Sequence, residues 1–342
     1  MEMNKQDKTT LLLTYDYELF LGRSGTDEKC LIEPTNALRK VMKSHDAHGT
    51  FFVDTVYLLR AKKESKSDYE KVERQLLDLV NDGHRVEVHL HPHWVDAKYE
   101  SEKGQWFFDN FRYYRVGNCP EDLIDSLFEQ SVGLLSGICG QVDSNYSPYA
   151  YRAGGWCIEP FSAFARLFKK YGIVVDSSVL PMQYSEDKTQ GFDYRSIISN
   201  EAYRFAESPL KPDTAGCFVE IPVTTIQLPI SKIISLRLKM LANKERFKMM
   251  GDGVSSLVQN GAYQSQSIVS KISDRLIKPQ YRSLAFEGAC YEYPKSSLSD
   301  INLYTSITHP KLVSRNSLRE MDRVLGFVDS AMTIRDYVVN VS

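Results

Sequence analysis

Seven short apolar runs, each ending in or carrying a polar residue, limit what this chain can fold into more than any other feature. They occupy residues 10–15, 49–53, 85–90, 147–151, 172–175, 217–222 and 303–308, and they bring with them Asp16, Asp54, His89, Arg152, Asp176, Glu220 and His309 in that order. Runs of this length bounded by turn signals read as buried strands. Helical pattern separates them. One helix begins near Pro34 with Leu38, Val41 and Met42 on one face, and another carries Val72, Leu76, Leu79 and Val80 behind a capping box at Ser67–Glu70. Others start at Pro120, at about Phe161 and at Asn316 or Ser317. Alternating strand and helix predicts a parallel sheet with helical crossovers. Polar groups gathered at strand ends are how a (β/α) barrel builds a site. An open doubly wound sheet is the other topology, but no glycine-rich phosphate loop follows the first strand.

The 342 residues suffice for one large barrel or two smaller domains. A net charge of -2 gives no electrostatic reason to expect a nucleic-acid or anionic-membrane partner. Residues 1–8 are polar with no apolar h-region of signal-peptide length after them, so neither a signal peptide nor a membrane span is expected. Six cysteines (Cys30, Cys119, Cys139, Cys157, Cys217, Cys290) form no CxxC pair. That favours free thiols and a cytoplasmic location. Residues 95–118 are rich in aromatics and predict a long lid loop at a mouth. Residues 230–275 predict solvated basic helices, and 276–300 carry little pattern.

The chemistry concentrates in residues 86–94, where three of the seven histidines, His89, His91 and His93, alternate along the chain. Asp16 and Glu18 share one side of an extended strand. Two imidazoles and a carboxylate around an open position make a catalytic zinc-type site. Spacing leaves the pair open: His89 and His91 share a strand face, whereas a turn at Pro92 would bring His89 and His93 together. A second carboxylate can accept a proton from water, and a histidine opposite can protonate a leaving amine. Together these predict metal-assisted hydrolysis of an amide or ester. Asp54 reads as a structural cap, His84 as turn packing and His45 and His48 as surface or supporting groups. Arg152 could instead form a structural pair with Glu220.

In order along the chain, these residues resemble the NodB-type polysaccharide deacetylases, the metal-dependent carbohydrate de-N-acetylases. Thr14-Tyr15-Asp16-Tyr17-Glu18 resembles the family's Thr-Phe-Asp-Asp-Gly, and Gly49-Thr-Phe-Phe-Val its Ala-Thr-Phe-Phe-Val. His89-x-x-x-His93 is similar to its His-Thr-x-x-His. Tyr151-Arg152-Ala153-Gly154 resembles Arg-x-Pro, and Ile307-Thr308-His309 the closing Leu-x-His. The resemblance implies a distorted (β/α)7 barrel, a single domain over residues 1–342 with a lid loop and a helical insertion at about 230–300. It implies His89 and His93 as ligands of a divalent metal (zinc, or cobalt, nickel or manganese), with Glu18, favoured over Asp16, as the carboxylate ligand. It implies Asp16 as catalytic base, Arg152 as its tether, His309 as catalytic acid and Asp176 as the group orienting that histidine. The implied substrate is an N-acetylated (or O-acetylated) sugar, nucleotide- or lipid-linked. A C–N hydrolase of cyclic amides and a non-catalytic carbohydrate-binding barrel are the competing expectations. Two departures stand out: Asp-Tyr-Glu replaces the adjacent Asp-Asp, and Gly154-Gly155-Trp156 replaces the usual Pro-Tyr.

Overall fold

Alternation of side chains along the strands sets the architecture. In a computed structural model, which describes residues 8–186, 189–254, 280–288, 290, 293 and 302–341, the seven apolar runs become seven parallel strands. They are Thr10–Tyr17, Thr50–Asp54, Arg85–Leu90, Ala150–Ala153, Val175–Asp176, Phe218–Glu220 and Leu303–Thr308. Leu303–Thr308 lies beside the first strand, Thr10 opposite Leu303. Successive strands then run outward to Phe218–Glu220, and Tyr203–Phe205 closes the far edge antiparallel. The sheet curls. Thr224 N donates to Thr305 O at 2.9 Å, Leu284 N to Thr224 O and Ile307 N to Leu284 O at 2.8 Å, which bridges the remaining gap. The result is a distorted (β/α) barrel, as expected.

Odd and even positions divide the work. Leu11, Leu13, Tyr15 and Tyr17 pack against the surrounding helices in the large core, with the Tyr15 hydroxyl against Met42 and Met321 sulfurs. Leu12, Phe52, Ala150, Val175, Ile221 and Leu303 form a second apolar cluster. Ile334 and Val338 of the last helix, Ile334–Val341, complete it and floor the barrel. Ile334 N donates to Thr50 Oγ1 at 3.0 Å, which pins that helix at the start of the second strand. Along the same inward face the residues turn polar: Thr14, Asp16 and Glu18 on the first strand, Glu87, His89 and His91 on the third. One end of the barrel is dry packing and the other is the site.

Three features differ from the sequence expectations. Residues 95–118 are not one loop; Lys98–Glu100 and Gln105–Phe107 pair as a hairpin that buries Trp106 beneath the mouth. The expected insertion begins with helix Ile230–Ala242, while the strand before it, Thr225–Leu228, pairs antiparallel with Gln280–Ser283. Most of its remainder, including 255–279, lies outside the described residues. Beyond residue 327 the structure adds strand Ser330–Met332, parallel to the first strand, and the flooring helix. No described helix is long and apolar enough to cross a membrane.

Candidate metal centre

Asp16 and Glu18 stand on the inward face at the end of the first strand and both are buried. Arg152 Nη1 donates to Asp16 Oδ1 at 2.7 Å. The same guanidinium reaches Thr14 Oγ1, Ser177 O and Ser177 Oγ, each at 2.8 Å, and is itself fully buried. Asp16 therefore presents one oriented oxygen, Oδ2, to the cavity. Arg152 pairs with Asp16 and not with Glu220, so the structural pairing expected as an alternative does not form.

His89 is fixed by the neighbouring strand: its Nδ1 lies 2.8 Å from Arg152 O. A carbonyl only accepts, so Nδ1 carries the proton and Nε2 offers a lone pair. Glu18 Oε2 lies 3.4 Å from His89 Nε2 and 2.6 Å from His91 Nε2. The ligand atoms of Glu18, His89 and His91 all fall within 4.8 Å of one another. His89 Nε2 is buried without a well-aligned hydrogen-bond partner, and Glu18 Oε2 is turned to the two imidazoles. Buried polar atoms are seldom left so, and one oxygen plus two imidazoles converging on a point is a donor set that suits a divalent ion.

The third member is His91, where the resemblance implied His93. Pro92 starts a 3-10 turn, Pro92–Asp96, that carries His93 off the strand. The His93 ring is enclosed by Trp94, Phe108, Phe111 and Tyr114, with centroids 5.1–6.2 Å away. Neither of its nitrogens has a hydrogen-bond partner. Burial, then the His91 ring, holds its pKa well below the usual histidine value. Gly154 makes His91's position possible: a Cβ there would lie 2.3 Å from Leu90 O and 2.8 Å from His91 Nδ1.

Two further site residues carried no sequence signal. Lys311 Nζ donates to Glu18 Oε1 at 2.9 Å and to Leu19 O at 2.7 Å. Burial alone would raise the Glu18 pKa, but Lys311 and then His91 outweigh it and hold the carboxyl well below its usual range. The second residue is Glu287. His309 Nε2 lies 3.7 Å from Asp16 Oδ2 and 3.5 Å from Glu18 Oε1, across the cavity from the two ligand histidines. Its Nδ1 and its backbone N–H both meet Glu287 Oε2 at 2.8 Å. Despite burial, that carboxylate raises the His309 pKa above the ordinary value.

Asp176 was expected in the orienting role, and it does not fill it. Its Oδ1 accepts from Ser178 Oγ at 2.7 Å, and Ser178 Oγ in turn accepts from Ala153 N. Asp176 faces Glu220 on the next strand, their backbones in register. Asp176 Oδ2 and Glu220 Oε2 have no other partner, and two buried carboxylates side by side hold one proton between them. Burial pushes both pKa values up. Stability from such a pair is full below the unfolded carboxyl pKa near 4 and is lost as pH rises through the raised native values. Asp176→Asn should therefore flatten the fall in melting temperature between about pH 6 and 8; an unchanged slope would exclude the shared proton. Asp54, expected as a cap, is one: its Oδ1 accepts from Tyr57 N at the head of helix Thr55–Glu64.

Removing the orienting carboxylate has a definite expected cost. Glu287→Gln should lower kcat by about 10²-fold with the melting curve unchanged, because a proton donor that can swing loses most of its advantage. A kcat within twofold of wild type would remove Glu287 from the site's working parts.

No family model matches the chain, and no curated protein matches it in sequence. Solved structures do match its fold. A protein from Mycobacterium smegmatis assigned as a polysaccharide deacetylase superposes with a TM-score of 0.51 at 12% identity, covering 100% of this chain and 92% of its own. The Puue allantoinase gives 0.47 at 10% identity over 97% and 90% of the two chains. A peptidoglycan deacetylase from Bacillus subtilis gives 0.37 at 9% over 96% and 89%. The fold is that of the polysaccharide-deacetylase barrel.

Proposed function

We propose that this chain, built on the polysaccharide-deacetylase fold, is a metal-dependent hydrolase that removes N-acetyl (or O-acetyl) groups from a sugar or polysaccharide precursor. The observation that carries this reading is the convergence of buried Glu18, His89 and His91 beside an oriented Asp16 and an oriented His309. A divalent ion held by Glu18, His89 and His91 would supply Lewis acidity to the acyl carbonyl and to water. Asp16 Oδ2 takes the proton of the attacking water. Arg152 keeps that carboxylate aimed. His309 gives its Nε2 proton to the departing amine or alkoxide, while Glu287 holds the ring by Nδ1.

The test is acetate release from a panel of N-acetylated sugars by chelated protein and by protein resupplied with zinc or cobalt. Release only by the resupplied protein is the expected result. No release from any member, with ring opening of a cyclic amide instead, would replace this reading with a C–N hydrolase on the same barrel.

A further inference from the structure

We infer that Lys311 is a built-in countercharge to the metal-ligating carboxylate: it occupies one oxygen of Glu18, restricts that residue to ligation through the other, and keeps the site's affinity for a divalent cation below what the same three ligands would reach without it. The inference rests on the reading of Glu18, His89 and His91 as a metal centre.

Lys311 is a poor candidate for an accidental surface lysine. Its side chain is 5% exposed and that of Glu18 is 7%. Its ammonium is gripped by three consecutive residues: Glu18 Oε1 at 2.9 Å, Leu19 O at 2.7 Å and the Phe20 ring at 5.3 Å from the centroid. Its backbone is held as well, Gly251 N donating to Lys311 O at 3.0 Å. Nothing here lets the side chain withdraw to water. The carboxylate is thereby divided, Oε1 bonded to the ammonium and Oε2 turned toward the two imidazoles.

Two consequences follow from elementary electrostatics. A carboxylate whose second oxygen is taken cannot chelate, so Glu18 supplies a single oxygen. An ammonium and a divalent ion that share one carboxylate also repel each other, at a separation of a few ångströms where water does not screen them. Freeing Glu18 by removing Lys311 would return some side-chain entropy cost to the metal complex. Coulomb repulsion between a single and a double positive charge in a buried site is the larger effect, so it sets the sign. Asp16 is already balanced by Arg152, and Glu287 by His309.

The experiment uses the full chain stripped of metal and titrated with zinc against a competing indicator, and separately with cobalt while its visible bands are recorded. Lys311→Met is expected to bind zinc about tenfold tighter or more. Its cobalt absorption should fall about twofold, because a chelating Glu18 raises the coordination number and low-coordinate cobalt absorbs most strongly. Lys311→Arg keeps the charge and should match wild type in affinity. If Lys311→Met does not fold, Lys311→Gln gives the same readout while keeping a donor for Leu19 O. Equal or weaker zinc binding with an unchanged cobalt spectrum, in a wild type that does load, would overturn the role of Lys311 alone. A wild type that takes up neither ion would overturn this role together with the functional reading.

Discussion

Asp16→Asn should lower deacetylase turnover by about 10²–10⁴-fold, the range that a positioned general base contributes. It should also lower stability, by roughly 3 kcal/mol, the scale seen when one partner of a buried ion pair is neutralised. The two effects share a cause. Arg152 is fully buried, and among the described residues Asp16 is the one carboxylate its guanidinium touches; its remaining bonds go to two hydroxyls and a carbonyl. Neutralising Asp16 removes the proton acceptor and strands that charge. Initial rates and thermal melts on one preparation separate the outcomes. A variant with lowered melting temperature but more than a tenth of wild-type turnover would make Asp16 structural. Arg152→Lys should reproduce part of the loss, since a single ammonium cannot serve four acceptors spread over the first and fifth strands.

The second large effect concerns which imidazoles bind metal. His89→Ala, His91→Ala and Glu18→Gln should each abolish stoichiometric zinc, and turnover with it. His93→Phe should leave zinc content near one per chain, because the ring it replaces sits among aromatics and a phenyl fills the same volume. Elemental analysis of the four variants decides the matter. Zinc lost in His93→Phe and kept in His91→Ala would restore the i, i+4 pair that the family resemblance implied.

Much of the layout could be read from the chain because hydrophobic runs of strand length have few ways to be buried. Each polar residue that ends or sits late in such a run, from Asp16 to His309, lies on a parallel strand or immediately after one. The first strand also shows its two faces in sequence, mostly apolar until Asp16 and Glu18 follow Thr14 on the inward side. What could not be read depends on turns and on contacts distant in sequence. Choosing His91 over His93 turns on whether the strand persists to residue 91 before Pro92 bends it, and both outcomes fit the same letters. Glu287 comes from the stretch after Gln280–Ser283, beyond a long insertion, with nothing local to mark it. Asp176 looked suited to its role because it ends a strand, yet that strand's neighbour presents Glu220 and the two carboxyls pair instead. Lys311 follows a His-Pro pair and reads as an ordinary exposed lysine until the turn Pro310–Leu312 tucks it under Phe20.

The first strand has a consequence for how the molecule is made. Thr14 Oγ1 bonds Ser306 O from 292 residues away, and Thr10 is matched with both Leu303 and Ser330. During synthesis this segment emerges 292 residues ahead of Ser306 and cannot be fully paired until that later strand has also left the ribosome. Until then one of its edges is an open template for other strands. Such long-range closure is slow and prone to wrong partners. Nascent protein is thus expected to lean on holding chaperones, and truncation before the last strand and helix should yield aggregates and not a smaller working barrel.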